Sequence, residues 1–146
     1  MSLFNAMNIS ASGMTAQRVR MDIVSQNIAN VNTTRDANGD VYTRQLVVFQ
    51  ERSATPFANF LNGAVSKRSA SGVKVTNIIQ DTESEYKMVY DPSHPDADEE
   101  GYVTYSNVNT VAEMTDLIDA SRAYEANITA FNAAKNMALK GLEVGK

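Results

Sequence analysis

The sequence predicts an α+β protein in which a long helix at each end of the chain flanks a small β-rich middle region. Three observations predict this class. Apolar residues recur at helical spacing near both ends, positions 3 to 31 contain no proline, and the middle alternates short β-type runs with polar turns. We divide the 146 residues into a first helix (1–35), an outer β-rich domain (36–106) and a second helix (107–146), the two helices forming one coiled-coil-like helical domain.

The first helix is predicted from a heptad repeat. Met7, Met14, Met21 and Ile28 lie seven residues apart, the spacing of a coiled-coil-like seam on one helix face. Polar residues interrupt the neighbouring stripe, and an isolated helix gains little stability from its own sequence. We therefore expect this helix to depend on a partner, and we predict that these four residues lie at an assembly interface.

The second helix is predicted from Val111 to about Val144, a length of roughly 50 Å at the helical rise per residue. Thr110 and Glu113 have the spacing of a capping box, in which both side chains satisfy unpaired backbone N–H groups. A middle region this small cannot cover so long a helix, so we expect its apolar seam to contact the first helix or other chains. The residues of this seam predicted to form an assembly interface are Met114, Leu117, Tyr124, Ile128, Phe131 and Leu142.

The middle region contains β-type runs at 41–49, 72–79 and 86–90. Asn38-Gly39 is a strong turn signal before the first run, and Pro92 and Pro95 exclude a regular element through 91–95. The Ser- and Ala-rich stretch 53–71 is predicted to be a mobile loop or a short ordered insertion.

Charge and composition argue against several classes of protein. The net charge is −4, with nine Lys/Arg against seven Asp/Glu in residues 1–90 and four against ten in 91–146. Nucleic-acid binding needs a concentrated basic face, which this distribution lacks, so we expect no nucleic-acid partner. The start of the chain lacks the basic and apolar regions of a secretory signal, and no apolar run approaches a membrane span. We expect neither a cleaved signal peptide nor membrane insertion.

The sequence offers little material for catalysis or metal binding. Cysteine is absent and His94 is the only histidine, so a zinc site of Cys and His ligands is not expected. Phosphate-binding glycine loops and nucleophile motifs are also missing. We therefore expect no enzyme activity, no cofactor and no catalytic, cofactor-binding or metal-binding residues.

Two charged features have competing interpretations. Residues 96–101 resemble the start of a calcium loop, but Asn107 occupies the twelfth position, where a bidentate Glu is needed. We interpret this segment as a solvated acidic turn. Arg18 and Arg20 could indicate a membrane surface, but we expect them to complement the acidic first turns of the second helix.

Two sets of motifs resemble bacterial flagellar axial proteins. Residues 25–33, Ser-Gln-Asn-Ile-Ala-Asn-Val-Asn-Thr, follow 13–20 and resemble the N-terminal signature shared by flagellar rod, hook and hook-associated proteins. Residues 90–103, with Asn107-Val108, Glu113-Met114 and 120–127, are similar to the FlgC family of proximal basal-body rod proteins. The chain departs from that pattern at Tyr105-Ser106, where a proline commonly precedes Asn107, and in its longer 53–71 stretch.

The resemblance implies a structural subunit of the flagellar basal-body rod, the tubular drive shaft for motility. Its terminal helices would pair and line the channel of a tube that spans the periplasm, with the β-rich domain outside. Copies of itself, other rod proteins and the flagellar type III export apparatus are the implied partners. Asn27, Asn30 and Thr33 belong to the signature turn, which fixes where the chain leaves the tube.

Two alternatives remain open from the sequence. The first is another flagellar axial protein of the distal rod or hook type, although such proteins generally have larger outer insertions. The second is a generic coiled-coil adaptor, which would form a defined dimer.

Overall fold

A computed structural model describes residues 3–35, 39–52 and 72–144. These ranges contain two long helices and four short strands, which confirms the α+β class. The predicted 53–71 loop and Asn38 of the predicted turn lie outside the described residues. The elements are α1 (Leu3–Ala29), β1 (Gln45–Glu51), β2 (Val73–Gln80), β3 (Lys87–Tyr90), β4 (Tyr102–Tyr105) and α2 (Thr110–Val144).

The antiparallel helices α1 and α2 form the main contact within the chain. Their close approach depends on small residues: a Cβ added at Gly13 would lie 2.7 Å from Oδ1 of Asn127. The heptad residues of α1 lie beside this buried line and are half-buried; Met21, for example, accepts a hydrogen bond at its Sδ from the Ser121 hydroxyl (3.4 Å). The buried apolar residues of the helix pair are Ala16, Ile23, Val24, Ala120 and Ala134.

The strands form two separate antiparallel pairs. β1 pairs with β2 from Gln45↔Gln80 to Glu51↔Val73, with an irregularity between Val48 and Phe49. This hairpin lies along α1, where the Val73 N–H donates to the Ser12 hydroxyl (3.1 Å). β3 pairs with β4, and Val103 of β4 is fully buried beneath the pair.

Two of the three predicted strand runs are confirmed nearly to their ends, and the other is shifted. β2 and β3 match the predicted runs within one residue. β1 begins only at Gln45. Just before it, the Arg44 N–H donates to Oδ1 of Asn107 (2.8 Å), while the Arg44 carbonyl accepts from the Asp81 N–H (2.8 Å). β4 was not predicted. As predicted, no regular element occupies residues 91–95 of the described chain.

The predicted capping box is wrong. Asn109 caps α2 instead, since its Oδ1 accepts hydrogen bonds from the N–H groups of Val111 (3.0 Å) and Ala112 (3.3 Å). Asparagine is as good a cap as threonine, and it already satisfies two of the unpaired donors at the helix start. The Glu113 carboxylate is directed into the protein, toward residues far away in sequence.

Hydrogen bonds and an ion pair hold part of the acidic segment 96–101, so it is not solvated throughout. Asp96 accepts a hydrogen bond from the Thr34 hydroxyl (2.7 Å) and forms an ion pair with Arg35 (2.8 Å). Asp98 accepts hydrogen bonds from the N–H groups of Glu100 (3.0 Å) and Tyr102 (2.8 Å), which closes the turn before β4. The prediction of a solvated turn is therefore wrong for Asp96. Within the described residues, no group of three or more His, Cys, Asp or Glu side chains could hold a metal ion.

Over the described residues, neither α1 nor α2 is both long and apolar enough to cross a membrane.

Candidate functional site

Two features of the structure are candidates for function. One is a buried polar cluster built on Asn27, Arg44 and Glu113, which we name the junction. The other is the apolar surface that both helices leave uncovered. The junction brings together the end of α1, the approach to β1 and the start of α2, so it determines how the helix pair and the outer hairpin are joined.

Asn27 lies in the last turn of α1 and is only 1% exposed. Its Nδ2 donates to Oε2 of Glu113 and to the Gln45 carbonyl, both at 2.9 Å. Its Oδ1 accepts hydrogen bonds from the Tyr42 hydroxyl (2.9 Å) and the Gln45 N–H (3.0 Å). An amide side chain has two donor hydrogens and two acceptor lone pairs, so the hydrogen-bonding capacity of Asn27 is filled.

Glu113 is also 1% exposed and holds the charge at the centre of the junction. Its Oε1 accepts a 2.6 Å hydrogen bond from Nε of Arg44, and its Oε2 accepts the bond from Asn27. The same guanidinium approaches Asp81 and Asp116, each at 3.5 Å. A carboxylate this deeply buried needs such partners, because removal from water is costly for an unpaired charge.

These charges shift the pKa values of neighbouring groups. Burial alone would lower the pKa of Arg44, but the hydrogen bond and charge of Glu113, aided by Asp81, raise it above its ordinary value. Burial and then the charge of Glu113 raise the pKa of Tyr42. Both shifts hold the junction in its present protonation state: Arg44 charged and the Tyr42 phenol neutral.

Further contacts extend the junction outward. Asn107 links the residue before β1 to the residue after β2. Its Oδ1 accepts a hydrogen bond from the Arg44 N–H, and its Nδ2 donates to the Asp81 carbonyl (2.8 Å). Arg20 of α1 pairs with Asp116 of α2 at 2.8 Å. This ion pair confirms, for Arg20, the predicted complementarity with the acidic first turns of the second helix.

The three residues predicted for the signature turn have two different positions. Asn30 and Thr33 close the turn after α1: the Thr33 hydroxyl donates to Oδ1 of Asn30 (3.1 Å), and Nδ2 of Asn30 donates to the Gln26 carbonyl (2.9 Å). Asn27 lies inside the helix and belongs to the junction. Arg44 was not predicted as a site residue, because it carries no local signal beyond its place in a β-type run.

The residues predicted for an assembly interface line the edges of the helix pair. Met114 (54% exposed) and Leu142 (73% exposed) are uncovered. Each of the others leaves part of its side chain at the surface, and these half-buried residues are Met7, Met14, Met21, Ile28, Leu117, Tyr124, Ile128 and Phe131. Exposed apolar residues on α2 that were not predicted for the interface are Val111, Ile118, Met137 and Leu139.

Comparison with known proteins identifies the family. A family described as flagella basal body rod protein matches residues 7–35, and one described as flagellar basal body rod FlgEFG protein C-terminal matches 99–144. The chain is 47% identical to the flagellar basal-body rod protein FlgC of Bacillus subtilis over the full length of both chains. It is 43% identical to FlgC of Borreliella burgdorferi (99% of this chain, 98% of the relative) and 37% identical to FlgC of Escherichia coli O157:H7 over the full length of both. This chain belongs to the FlgC family.

The two matched segments contribute opposite sides of the junction. The first contains Asn27 and the second contains Glu113, whereas Arg44 lies outside both. In this FlgC-family chain, a residue of the middle region therefore links the two segments that the family descriptions cover.

Proposed function

We propose that the chain is a non-enzymatic structural subunit of the flagellar basal-body rod. The observation that carries the proposal is full-length identity of up to 47% to relatives named as basal-body rod proteins. The match extends over the whole chain of relatives named FlgC, which favours a FlgC-type rod subunit over a distal rod protein, a hook-type protein or a generic adaptor.

The helices supply the means of assembly in this proposal. The half-buried residues along their edges, including Ile28, Leu117 and Ile128, complete their burial against neighbouring subunits in a coiled-coil-like arrangement. Contacts between different surfaces of successive subunits do not close on themselves, so they generate a helical tube. Copies of this chain and other rod proteins are the neighbours, and the β-rich middle region lies on the outside of the tube.

Export and location follow from the same proposal. The subunit passes unfolded through the flagellar type III apparatus and is incorporated into the part of the basal body that spans the periplasm. The drive shaft that it helps to form serves flagellar motility.

The experiment compares Ile128→Asp with Asn136→Asp in cells that lack the wild-type chain. Ile128 is half-buried, whereas Asn136 is exposed on the same helix. In the assembled rod, a carboxylate at position 128 becomes buried without a partner and costs several kcal/mol, roughly 3 or more, at each repeated contact. We expect Ile128→Asp to be exported but absent from isolated basal bodies, leaving cells without filaments.

The control variant Asn136→Asp is expected to be incorporated and to restore motility. Circular dichroism and thermal melting of both purified variants check that their folds are retained. Normal incorporation of a folded Ile128→Asp chain contradicts the proposed assembly surface. Absence of the labelled wild-type chain from basal bodies contradicts the rod function itself.

A further inference from the structure

His94, the only histidine of the chain, holds the turn between β3 and β4 together. The Asp96 N–H donates to Nδ1 of its ring at 3.1 Å, so Nδ1 carries no proton and the neutral ring carries its proton on Nε2. The backbone N–H of His94 donates to the Asp91 carbonyl (3.2 Å), and its carbonyl accepts from the Ala97 N–H (3.1 Å). The ring also makes an edge contact with Tyr105 of β4, with 6.5 Å between the ring centroids. The imidazole is therefore fixed between its own turn and the β3–β4 pair.

Asp96 connects this turn to the segment that follows α1. Its side chain accepts a hydrogen bond from the Thr34 hydroxyl (2.7 Å) and forms an ion pair with Nε of Arg35 (2.8 Å). We name the contact of Asp96 with Thr34 and Arg35 the exit link, because it attaches the segment leaving the helix pair to the outer region. The backbone of Asp96 is held by His94 and its side chain forms the exit link, so a displacement of this one residue affects both contacts.

Two prolines restrict the backbone of the turn around His94. Pro92 and Pro95 each fix φ at about −65°, and neither has an N–H group. The residue before a proline is itself confined to extended conformations, which limits the backbone of His94. The Asp96 N–H is the first donor after Pro95. The turn therefore has little freedom to supply this N–H with another acceptor if Nδ1 of His94 is lost.

Charged and titratable groups approach the His94 ring from several elements. Those of its own turn, of the segment after α1, of β3 and of β4 are Asp91, Asp96, Arg35, Lys87 and Tyr105. Asp91 attracts a positively charged ring, since the two side chains interact electrostatically. Lys87 repels such a ring, because both line one groove between the end of α1, the β3–β4 pair and the start of α2. The start of α2 contributes only uncharged residues to this groove.

We propose that His94 is a pH-sensitive switch that supports the exit link when its ring is neutral and releases it when the ring is protonated. A proton on Nδ1 removes the acceptor of the Asp96 N–H and sets two N–H groups against each other, so the ring turns toward Asp91. The Asp96 backbone then loses its anchor and the exit link weakens. Histidine is the side chain that ordinarily titrates between pH 5 and 8, so the exit link is complete at pH 8 and weakens as the pH falls toward 5. The switch goes beyond the proposed rod function and does not depend on it.

Two variants of the purified chain separate a titrating ring from a neutral acceptor. His94→Asn keeps an uncharged oxygen two residues before the Asp96 N–H, the arrangement of an Asx turn, and it does not titrate. His94→Ala removes the acceptor at every pH. NMR at pH 8 and pH 5 measures hydrogen exchange of the Asp96 N–H and the backbone order parameters of Thr34 and Arg35. Both pH values lie above the ordinary carboxyl pKa, about 3.9 to 4.3, and the chain has no other histidine.

At pH 8 we expect the wild type and His94→Asn to protect the Asp96 N–H equally, and His94→Ala to leave it unprotected. At pH 5 this N–H should exchange about tenfold faster in the wild type than in His94→Asn. The order parameters of Thr34 and Arg35 should fall toward the flexible range, below about 0.6, in the wild type alone of these two chains. The Tyr102 N–H, which donates to Asp98 at 2.8 Å, is the internal control and should exchange equally in both.

Three results overturn the switch. Equal exchange of the Asp96 N–H in the wild type and His94→Asn at pH 5 shows that protonation does not release it. Protection of this N–H in His94→Ala at pH 8 shows that the ring does not hold it. Faster exchange at Asp96 with unchanged order parameters at Thr34 and Arg35 shows that His94 does not control the exit link. Each comparison is made at one pH with residues 95 and 96 unchanged, so the intrinsic pH dependence of amide exchange cancels.

Discussion

The two ends of α2 each carry a glutamate in a short ion pair, but the surroundings of the two pairs are opposite. Glu113 lies 2.6 Å from Arg44 inside the junction, with a side chain only 1% exposed. Glu143 lies 2.7 Å from Lys140 in the last two turns of α2, with a side chain 64% exposed. The distances are nearly equal, so burial decides what each pair contributes. An exposed pair is worth little, whereas breaking a buried one leaves an uncompensated charge.

The largest expected effect tests this contrast at Glu113. Glu113→Ala leaves Arg44 without its nearest partner and removes an acceptor from the buried Asn27 amide. We expect the free energy of unfolding to fall by about 3 kcal/mol or more, measured by urea denaturation of the purified chain. Glu143→Ala is the matched control, with an expected loss below about 0.5 kcal/mol. Equal losses for the two variants contradict a structural role for the junction.

A smaller effect on stability distinguishes the paired part of the helices from the last turn of α2. Gly141 lies in that last turn with nothing near the position of an added Cβ, so Gly141→Ala should stabilise the chain by up to about 1 kcal/mol through helix propensity. Gly13 faces α2, and an added Cβ would lie 2.7 Å from Oδ1 of Asn127. The Asn127 amide must then move and strain its hydrogen bond to the Ala123 carbonyl.

Overpacking of this kind costs about 1 to 3 kcal/mol. We therefore expect Gly13→Ala to destabilise the chain by about 1 kcal/mol after the gain in helix propensity is included. Thermal melting of Gly13→Ala, Gly141→Ala and the double variant Gly13→Ala/Asn127→Ala checks the explanation. The double variant should recover the lost stability. Stabilisation by Gly13→Ala alone would show that the helices can separate slightly at no cost.

The contrast between the ends of α2 also shows what the sequence can predict. Both helices were predicted because their periodicity is a local property of long segments. The buried line between them was not, since beside Ile23 and Val24 it consists of Ala16, Ala120 and Ala134, small residues that contribute little to an apolar pattern. The more prominent methionines of the heptad flank that line. Close helix packing selects small residues, and a search for large apolar ones misses them.

The junction could not be predicted from local signals. Glu113 fits a capping box with Thr110, but its partner Arg44 is 69 residues away in sequence. Asn109, the actual cap, is adjacent to Thr110 and ranks above threonine in capping preference, but the spacing of Thr110 and Glu113 fits a capping box and therefore favoured Thr110. β4 has only four residues, and it is fixed by pairing with β3 and by the burial of Val103. Contacts distant in sequence therefore account for each of these differences.

The smallest expected effect concerns the pKa values of two aspartates, Asp81 beside the junction and Asp91 away from it. The Ser84 hydroxyl donates to Asp81 at 2.8 Å, and this bond, followed by the Ser84 N–H, holds the pKa of Asp81 below its ordinary value. The Ser93 hydroxyl donates to Asp91 at 2.6 Å, and this bond, followed by the Ser93 N–H and then by the charge of His94, lowers the pKa of Asp91. Asp81 has an additional partner in Arg44 of the junction.

The sign of the pH dependence follows from linkage. A carboxyl group with a lower pKa in the folded chain than in the unfolded chain contributes stability that is fully present above the unfolded value, about 3.9. That contribution is lost as the pH falls through the folded value. Ser84→Ala and Ser93→Ala should therefore lower stability at pH 7, and each difference from the wild type should shrink below about pH 3.9, where the unfolded chain is protonated.

Carboxyl pKa values measured by NMR in the two variants distinguish the junction from the exposed loop. In Ser84→Ala, Asp81 keeps the Glu83 N–H and the Arg44 guanidinium, whereas Asp91 in Ser93→Ala keeps only the backbone N–H of residue 93 and the attraction of His94. We therefore expect the pKa of Asp81 to stay further below the ordinary value than that of Asp91. Urea denaturation at pH 7 and pH 3 supplies the matching stabilities. A stability difference between Ser84→Ala and the wild type that grew on acidification would have the wrong sign for a lowered pKa. Equal residual shifts in the two variants would show that the influence of the junction ends before Asp81.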